Sequence, residues 1–418
     1  MSDTTRAQIP DKTPIIIGAG QYTEHLSTDR EPTLNGPMDL AAEAARRALD
    51  DAGGLQPEQI DAVACIRQFS DSAPAWTCPF GGSDNPPESI ARRLGIGPGK
   101  RIYSLATGAE PLKIMAELMG NITRGEITAA LLTGAEAIAS QRHAQRNGID
   151  LDWSETTGQP MDDRGMEQTV ASQEEILSGM YLPAHYYAII ENYRATSQDR
   201  SPEQHRKHMA DLFASFSAVA SRNPYAFWQQ PYSSADLLTD GRDNYPISLP
   251  YTKRLVAQDA VNQAAALVLT SVGQARAMAI PRERWIFLQG YAQGEDQFTS
   301  ARKDPGNSAA MRAVFDRALA AANASSDEFE LIDIYSCFPC AVEAACEALD
   351  LPEDGSQALT VTGGLPYFGG PGNNYSMHAL AEMTHRLRGS DQRALVLSLI
   401  HISEPTRQYC QSRMPSSA

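Results

Sequence analysis

The chain has 418 residues and a formal net charge of −16, with 51 acidic side chains against 35 basic ones. So acidic a surface argues against nucleic acid or an anionic membrane as the main partner and leaves a small molecule or another protein. No apolar run approaches the roughly 18 residues of a membrane span, and the polar, charged start carries no secretory leader. Cys65, Cys78, Cys337, Cys340 and Cys346 are read as reduced thiols in a cytoplasmic protein.

In chain order, Pro14 to Gly18 (PIIIG) is a β-branched run leading into a turn, and Met38 to Gly53 follows as an amphipathic helix closed by a glycine pair. The rhythm repeats with a strand at Asp61 to Ile66 and a helix at Pro87 to Leu94, then a strand at Arg101 to Leu105 and a helix at Pro111 to Arg124. A further strand covers Ile127 to Thr133. Alternating strands and helices predict a mostly parallel sheet with helices on its faces.

From about residue 141 to 250 the texture changes to polar turns and two long helical patterns, Pro183 to Ser197 and Pro202 to Ser221, with no convincing strand. This reads as an inserted helical lid. Strands then resume at Ala265 to Ser271 and Trp285 to Gly290, followed by a helix at Ser308 to Ala322. Leu331 to Tyr335 is read as a strand, Pro339 to Leu349 as a helix, Thr360 to Gly364 as an extended segment, Tyr375 to Arg388 as a helix and Arg393 to Val396 as a strand. Residues 1–140 with 251–275 would form one α/β half and residues 276–396 the other, with 141–250 between them. From Leu397 the chain reads LSLIHISEPTR and ends SRMPSSA, which spell the two ends of a DNA-sequencing adapter in one frame. Residues 397–418 are therefore read as a non-native tail, and the second half as truncated.

Two stretches of the second half carry chemistry-bearing residues. Tyr335 to Val342 (YSCFPCAV) joins a strand to a helix, and Val361 to Leu380 (VTGGLPYFGGPGNNYSMHAL) is a glycine-rich loop opening the next helix. With Pro250 to Ser271 (PYTKRLVAQDAVNQAAALVLTS), they resemble active-site loops of the thiolase superfamily, in the branch of sterol-carrier-type and acetyl-CoA acetyltransferase-like proteins. The resemblance implies a five-layered αβαβα fold of two α/β halves with a helical lid, a homodimer, and action on acyl-CoA thioesters. CoA would come and go as substrate, with no covalently bound cofactor.

A thiolase holds an acyl group on a cysteine thiolate at a helix N-terminus and needs an acid/base and an oxyanion hole. The nucleophile's place lies in YSLATGAEPLKIM, where Leu105 or Ala106 stands, and no cysteine occurs between Cys78 and Cys337. Tyr335 and Ser336 replace the His and Asp of the first loop, where Cys337 and Phe338 match. Gly370 stands where the second loop's His is expected. The resemblance leaves Cys337 and His378 as candidate acid/base residues, and Tyr335, Gly369, Gly370, Gly372, Asn373 and Asn374 as the candidate substrate-binding set. The function expected is a thiolase-like acyltransferase without the usual nucleophile, or else a noncatalytic acyl-CoA-binding or partner-binding protein.

Each residue also has a structural reading: Cys337 as a small core hydrophobe, His378 as a packing residue, and the Gly-Asn run as a tight turn with an asparagine capping the helix. Cys337-Phe-Pro-Cys340 has redox-dithiol spacing, but Cys346 and the histidine spacing supply no zinc set, so no metal is expected. Gly18-Ala-Gly20 is a partial dinucleotide fingerprint with Thr23 at its third glycine position. The His185, Tyr186, Tyr187 and Tyr193 stripe reads as core.

Overall fold

The computed structural model describes residues 9–26, 32–165, 171–180 and 182–399. Most of the adapter-like tail, residues 400–418, and Tyr181 lie outside the described residues.

In the first half, β1 (Pro14–Thr23) is followed by α1 (Pro37–Ala52), which opens on a proline and ends at Gly53 with φ 64°. The buried alanines of α1 lie on β1, and a side chain on Gly18 or Gly20 would overlap the backbone oxygen of Ala48 or Ala44. Those glycines therefore serve close helix–strand packing inside a strand, which disposes of a phosphate-binding turn there. Next come β2 (Ala62–Cys65), α2 (Pro86–Leu94), β3 (Lys100–Tyr103), α3 (Glu110–Arg124), β4 (Ala129–Ala137) and α4 (Ile138–Asn147).

The lid holds a two-residue strand β5 (Asp162–Asp163), α5 (Gln173–Leu177), α6 (Pro183–Ser197), α7 (Pro202–Ala220), α8 (Ser234–Leu238), β6 (Pro246–Ser248) and β7 (Tyr251–Thr252). The short strands differ from the all-helical expectation, and β5 caps the main sheet beside β3. The chain then returns as β8 (Asn262–Ser271) and α9 (Val272–Ala277). The six-stranded sheet has the order β1-β8-β4-β2-β3-β5. It is mixed, because β8 runs antiparallel to both β1 and β4. The lid leaves the sheet after Ala137 and re-enters opposite it at Asn262, so the returning strand runs the other way.

The second half contains α10 (Ala309–Ala322), β9 (Leu331–Ile334), α11 (Pro339–Leu349), α12 (Tyr375–Leu387) and β10 (Ala394–Leu397), with β9 and β10 parallel. Trp285 to Gly290, expected as a strand, makes one antiparallel bridge, Ile286 to Ile16. Its helix contact nevertheless repeats that of β1: a side chain on Gly290 would overlap the Ala318 oxygen of α10, as one on Gly18 would overlap Ala48 of α1. This is physical support for two related halves. A groove of about 1730 Å³ runs between this segment and β10 and reaches Leu105 and Glu110. Thr360 to Gly364 is not a strand, because the buried carboxylate of Asp333 takes the amides of Val361 and Thr362 that a strand partner would need. Helices α3 and α12 cover one face of the six-stranded sheet, α12 also reaching β10, while α1 covers the opposite face and α10 packs on α11 and the Gly290 segment.

Candidate functional site

Three loops, each leading into a helix, meet between the halves: 104–109 before α3, 335–338 before α11, and 360–374 before α12. Ser104 fixes the first by accepting the Arg67 backbone N–H at 2.9 Å. The buried Glu110 carboxylate accepts the Leu105 N–H and pairs with Lys113 at 2.9 Å. The turn where an acyl-accepting thiol would stand thus presents Leu105 and Ala106, side chains that cannot take up an acyl group. Across from it, a side chain on Gly108 would come within 3.1 Å of the Tyr335 hydroxyl.

In the second loop, the Ser336 hydroxyl accepts the Leu365 N–H at 3.2 Å and so ties this loop to the third. Cys337 is buried, its carbonyl accepts the Ala257 N–H, and burial pushes its thiol up to about 12. Phe338 stacks on Tyr187 with ring centres 4.3 Å apart, closing the loop under the lid. Cys340 is also buried and sits 3.3 Å from the Tyr251 hydroxyl, its thiol raised by burial and by Glu191.

The third loop is organised by Asp333, a group that sequence reasoning missed. Its Oδ2 accepts from Thr360 Oγ1, Val361 N, Thr362 N and Thr362 Oγ1, and Tyr375 donates to Oδ1. A lone acidic residue in the apolar strand LIDI was the available signal. The loop's glycines admit protein atoms: side chains on Gly369 and Gly372, both at positive φ, would overlap Gln263 and Glu136. Gly370 donates its N–H to Gln258 at 2.7 Å.

Neither asparagine caps α12. Asn373 donates to the Arg67 carbonyl at 2.9 Å, and Asn374 donates to the Gly134 carbonyl at 2.7 Å, so both stitch this loop to the first half. His378, in the first turn of α12, has no exposed surface; its Nδ1 lies 2.8 Å from Gln21 Oε1, and its Nε2 is buried without a partner. Burial lowers its pKa to about 3, so the ring is neutral. Glu136, at the end of β4, is the second missed group: it accepts the Phe69 N–H at 2.6 Å, and burial raises its pKa to about 8.

The second and third loops touch through Ser336 and Leu365 and through Tyr335, whose ring lies 5.5 Å from that of Tyr375, while His378 packs its ring 5.0 Å from Phe368 of the third loop. No described helix is long and apolar enough to cross a membrane.

No protein-family profile matches the chain, and neither does any curated protein. Among solved structures, the chain is 32% identical to a monomeric SCP2-thiolase-like protein type 1 from Mycobacterium smegmatis, with a TM-score of 0.78 over 95% of this chain and 76% of that one. Human mitochondrial 3-ketoacyl-CoA thiolase and an acetyl-CoA acetyltransferase from Syntrophomonas wolfei share the fold at TM-scores of 0.63 and 0.62. Both are 15% identical, over 94% of this chain and 96% of theirs. Strand order, helical lid, three converging loops and a third of the residues shared with the mycobacterial protein lead to one assignment: the chain belongs to the thiolase superfamily, among its SCP2-thiolase-like proteins.

Proposed function

We propose that the protein acts on acyl-CoA thioesters as a thiolase-like acyltransferase whose chemistry does not pass through an acyl-cysteine. The observation that carries this reading is the meeting of the loops before α3, α11 and α12, with Gly108 against Tyr335 and Leu365 bonded to Ser336, while the nucleophile's place is held by Leu105 and Ala106. In this reading the loop from Gly369 to Asn374, with Tyr335, holds the thioester and its oxyanion. His378 Nε2, a neutral lone pair, is the base of this site, and the Cys337 thiol is a proton donor rather than a nucleophile. A cytoplasmic homodimer belongs to the same proposal; a single-chain mass by light scattering would remove the dimer.

A second reading, a noncatalytic acyl-CoA-binding or partner-binding protein on the same scaffold, is favoured by one observation. Cys337 and His378 are enclosed by protein, and the loop glycines make room for Gln263 and Glu136.

Calorimetric titration with CoA and acetyl-CoA, followed by thioester loss with and without Cys337→Ala, separates the readings. Binding with turnover that falls in the variant supports the acyltransferase. Binding without turnover leaves the binding protein, and no binding of either compound removes both acyl-CoA readings.

A further inference from the structure

Where the lid rests on the second half, α7 brings His205 and His208, one turn apart, against Glu343 of α11, Glu191 of α6 and Glu353 of the loop after α11. Glu343 has no exposed surface. Its Oε2 accepts from Arg194 Nε at 3.0 Å, while its Oε1 has no hydrogen-bond partner and lies 3.5 Å from His208 Nε2. His208 Nε2 is 2.9 Å from Glu353 Oε2 but lacks the geometry of a hydrogen bond to it. His208, Glu343 and Glu353 each offer one ligand atom, and these lie within 4.8 Å of one another. Bonds of about 2.0–2.1 Å to one central ion would set roughly tetrahedral ligands about 3.3 Å apart, close to these separations.

Charge points the same way. The carboxylates of Glu191, Glu343, Glu347 and Glu353 crowd this junction, and the Arg194 guanidinium, bound to Glu343 and Glu347, is the fixed cation among them. Glu191 is fully used: Oε1 is 2.6 Å from His205 Nε2, and Oε2 accepts from the Cys340 N–H and the Tyr251 hydroxyl. Glu343 is left with one unmatched oxygen in a protein interior, where an uncompensated carboxylate is costly. Burial and Glu191 raise its pKa to about 7.

We propose that His208 Nε2, Glu343 Oε1 and Glu353 Oε2 form a site for one divalent transition-metal ion of the zinc class, which fastens the lid helix α7 to α11. One imidazole and two carboxylates, with no thiolate, suit zinc or cobalt; magnesium and calcium take mainly oxygen ligands in larger sets. His208 and Glu353 are about one-fifth exposed, which leaves a way in and room for a water as fourth ligand. No motif marks these ligands, because His208 of α7 lies more than 130 residues before Glu343 and Glu353.

The test is titration of the chelator-stripped protein with Co²⁺ and Zn²⁺, read by visible absorption and melting temperature. One ion per chain is expected, with cobalt ligand-field bands and no thiolate-to-metal charge-transfer band, and zinc is expected to raise the melting temperature. His208→Gln and Glu353→Gln, both at partly exposed positions and checked for native circular dichroism, should each weaken binding about tenfold or more. Equal affinity in the wild type and both variants, a thiolate band, or no binding at millimolar metal would overturn the proposal.

Discussion

The His378 imidazole donates through Nδ1 to the Gln21 side-chain oxygen, 2.8 Å away and 357 residues earlier in the chain, and this bond locks α12 to β1. Gln21 in turn donates to Glu382, one turn further along α12. With its Nδ1 proton used and its Nε2 buried, the resting ring is neutral and burial disfavours a second proton. Its folded pKa of about 3 lies below the unfolded value of 6.5. The unfolded chain therefore binds the extra proton, and stability that is full above pH 6.5 is lost as pH falls toward 3. The slope is at most about 1.4 kcal/mol per pH unit. Urea denaturation at pH 7 and pH 5 should show the wild type losing up to about 2 kcal/mol more than His378→Gln. Equal losses would mean that the ring is protonated in the folded protein.

Glu136 has the opposite sign. Its folded pKa of about 8 exceeds the ordinary 4.5, so the folded state holds the proton and stability falls as pH rises from 4.5 to 8. Glu136→Gln keeps an oxygen for the Phe69 N–H and removes the titration. The variant should be more stable than wild type at pH 8, by on the order of 2 kcal/mol, and nearly equal to it at pH 5. A variant less stable at pH 8 would show that the carboxylate is charged and matched.

Gly363 stands at φ 112° with the Ala220 backbone of α7 where a side chain would go. Gly363→Ala forces the lid and the third loop apart and should cost about 2–4 kcal/mol. Gly97 has open space beside it, and Gly97→Ala should change stability by about 0.5 kcal/mol or less in either direction. Thermal melts of the two variants side by side check this, and equal effects would remove the packing account of the glycine-rich loop.

Period and punctuation carried the first-half strands, the two long lid helices and α11, whose bounds at Pro339 and Leu349 were read directly from the chain. What the sequence did not carry was decided by partners distant along it. Thr360 to Gly364 has a strand's composition, but Asp333 takes its amides; β8 has a parallel strand's composition, but the lid reverses its direction. The candidate site followed the same division. The loops were visible as motifs, whereas the roles of Asn373 and Asn374 depended on Arg67 and Gly134, some 300 and 240 residues away. Glu136 and Asp333 had no motif to mark them, because an acidic residue in an apolar strand becomes informative only once its burial is known.

The thiols give the most direct check on the chemistry proposed for the loops. Cys65, Cys337, Cys340 and Cys346 are buried, and burial raises each of them; Cys337 and Cys346 reach about 12. A thiol reacts as its thiolate, so none of these four should alkylate in the folded protein at pH 8. Cys78 is half-buried, and its thiol is raised less steeply, so it should be modified first among the five. Iodoacetamide treatment of the native protein, followed by peptide mapping, should place the label on Cys78 well before Cys337, and the order should collapse in urea. Rapid native labelling of Cys337 would mean that the loop before α11 opens to solvent with a reactive thiolate, and a covalent acyl-cysteine route through that residue would then have to be reconsidered.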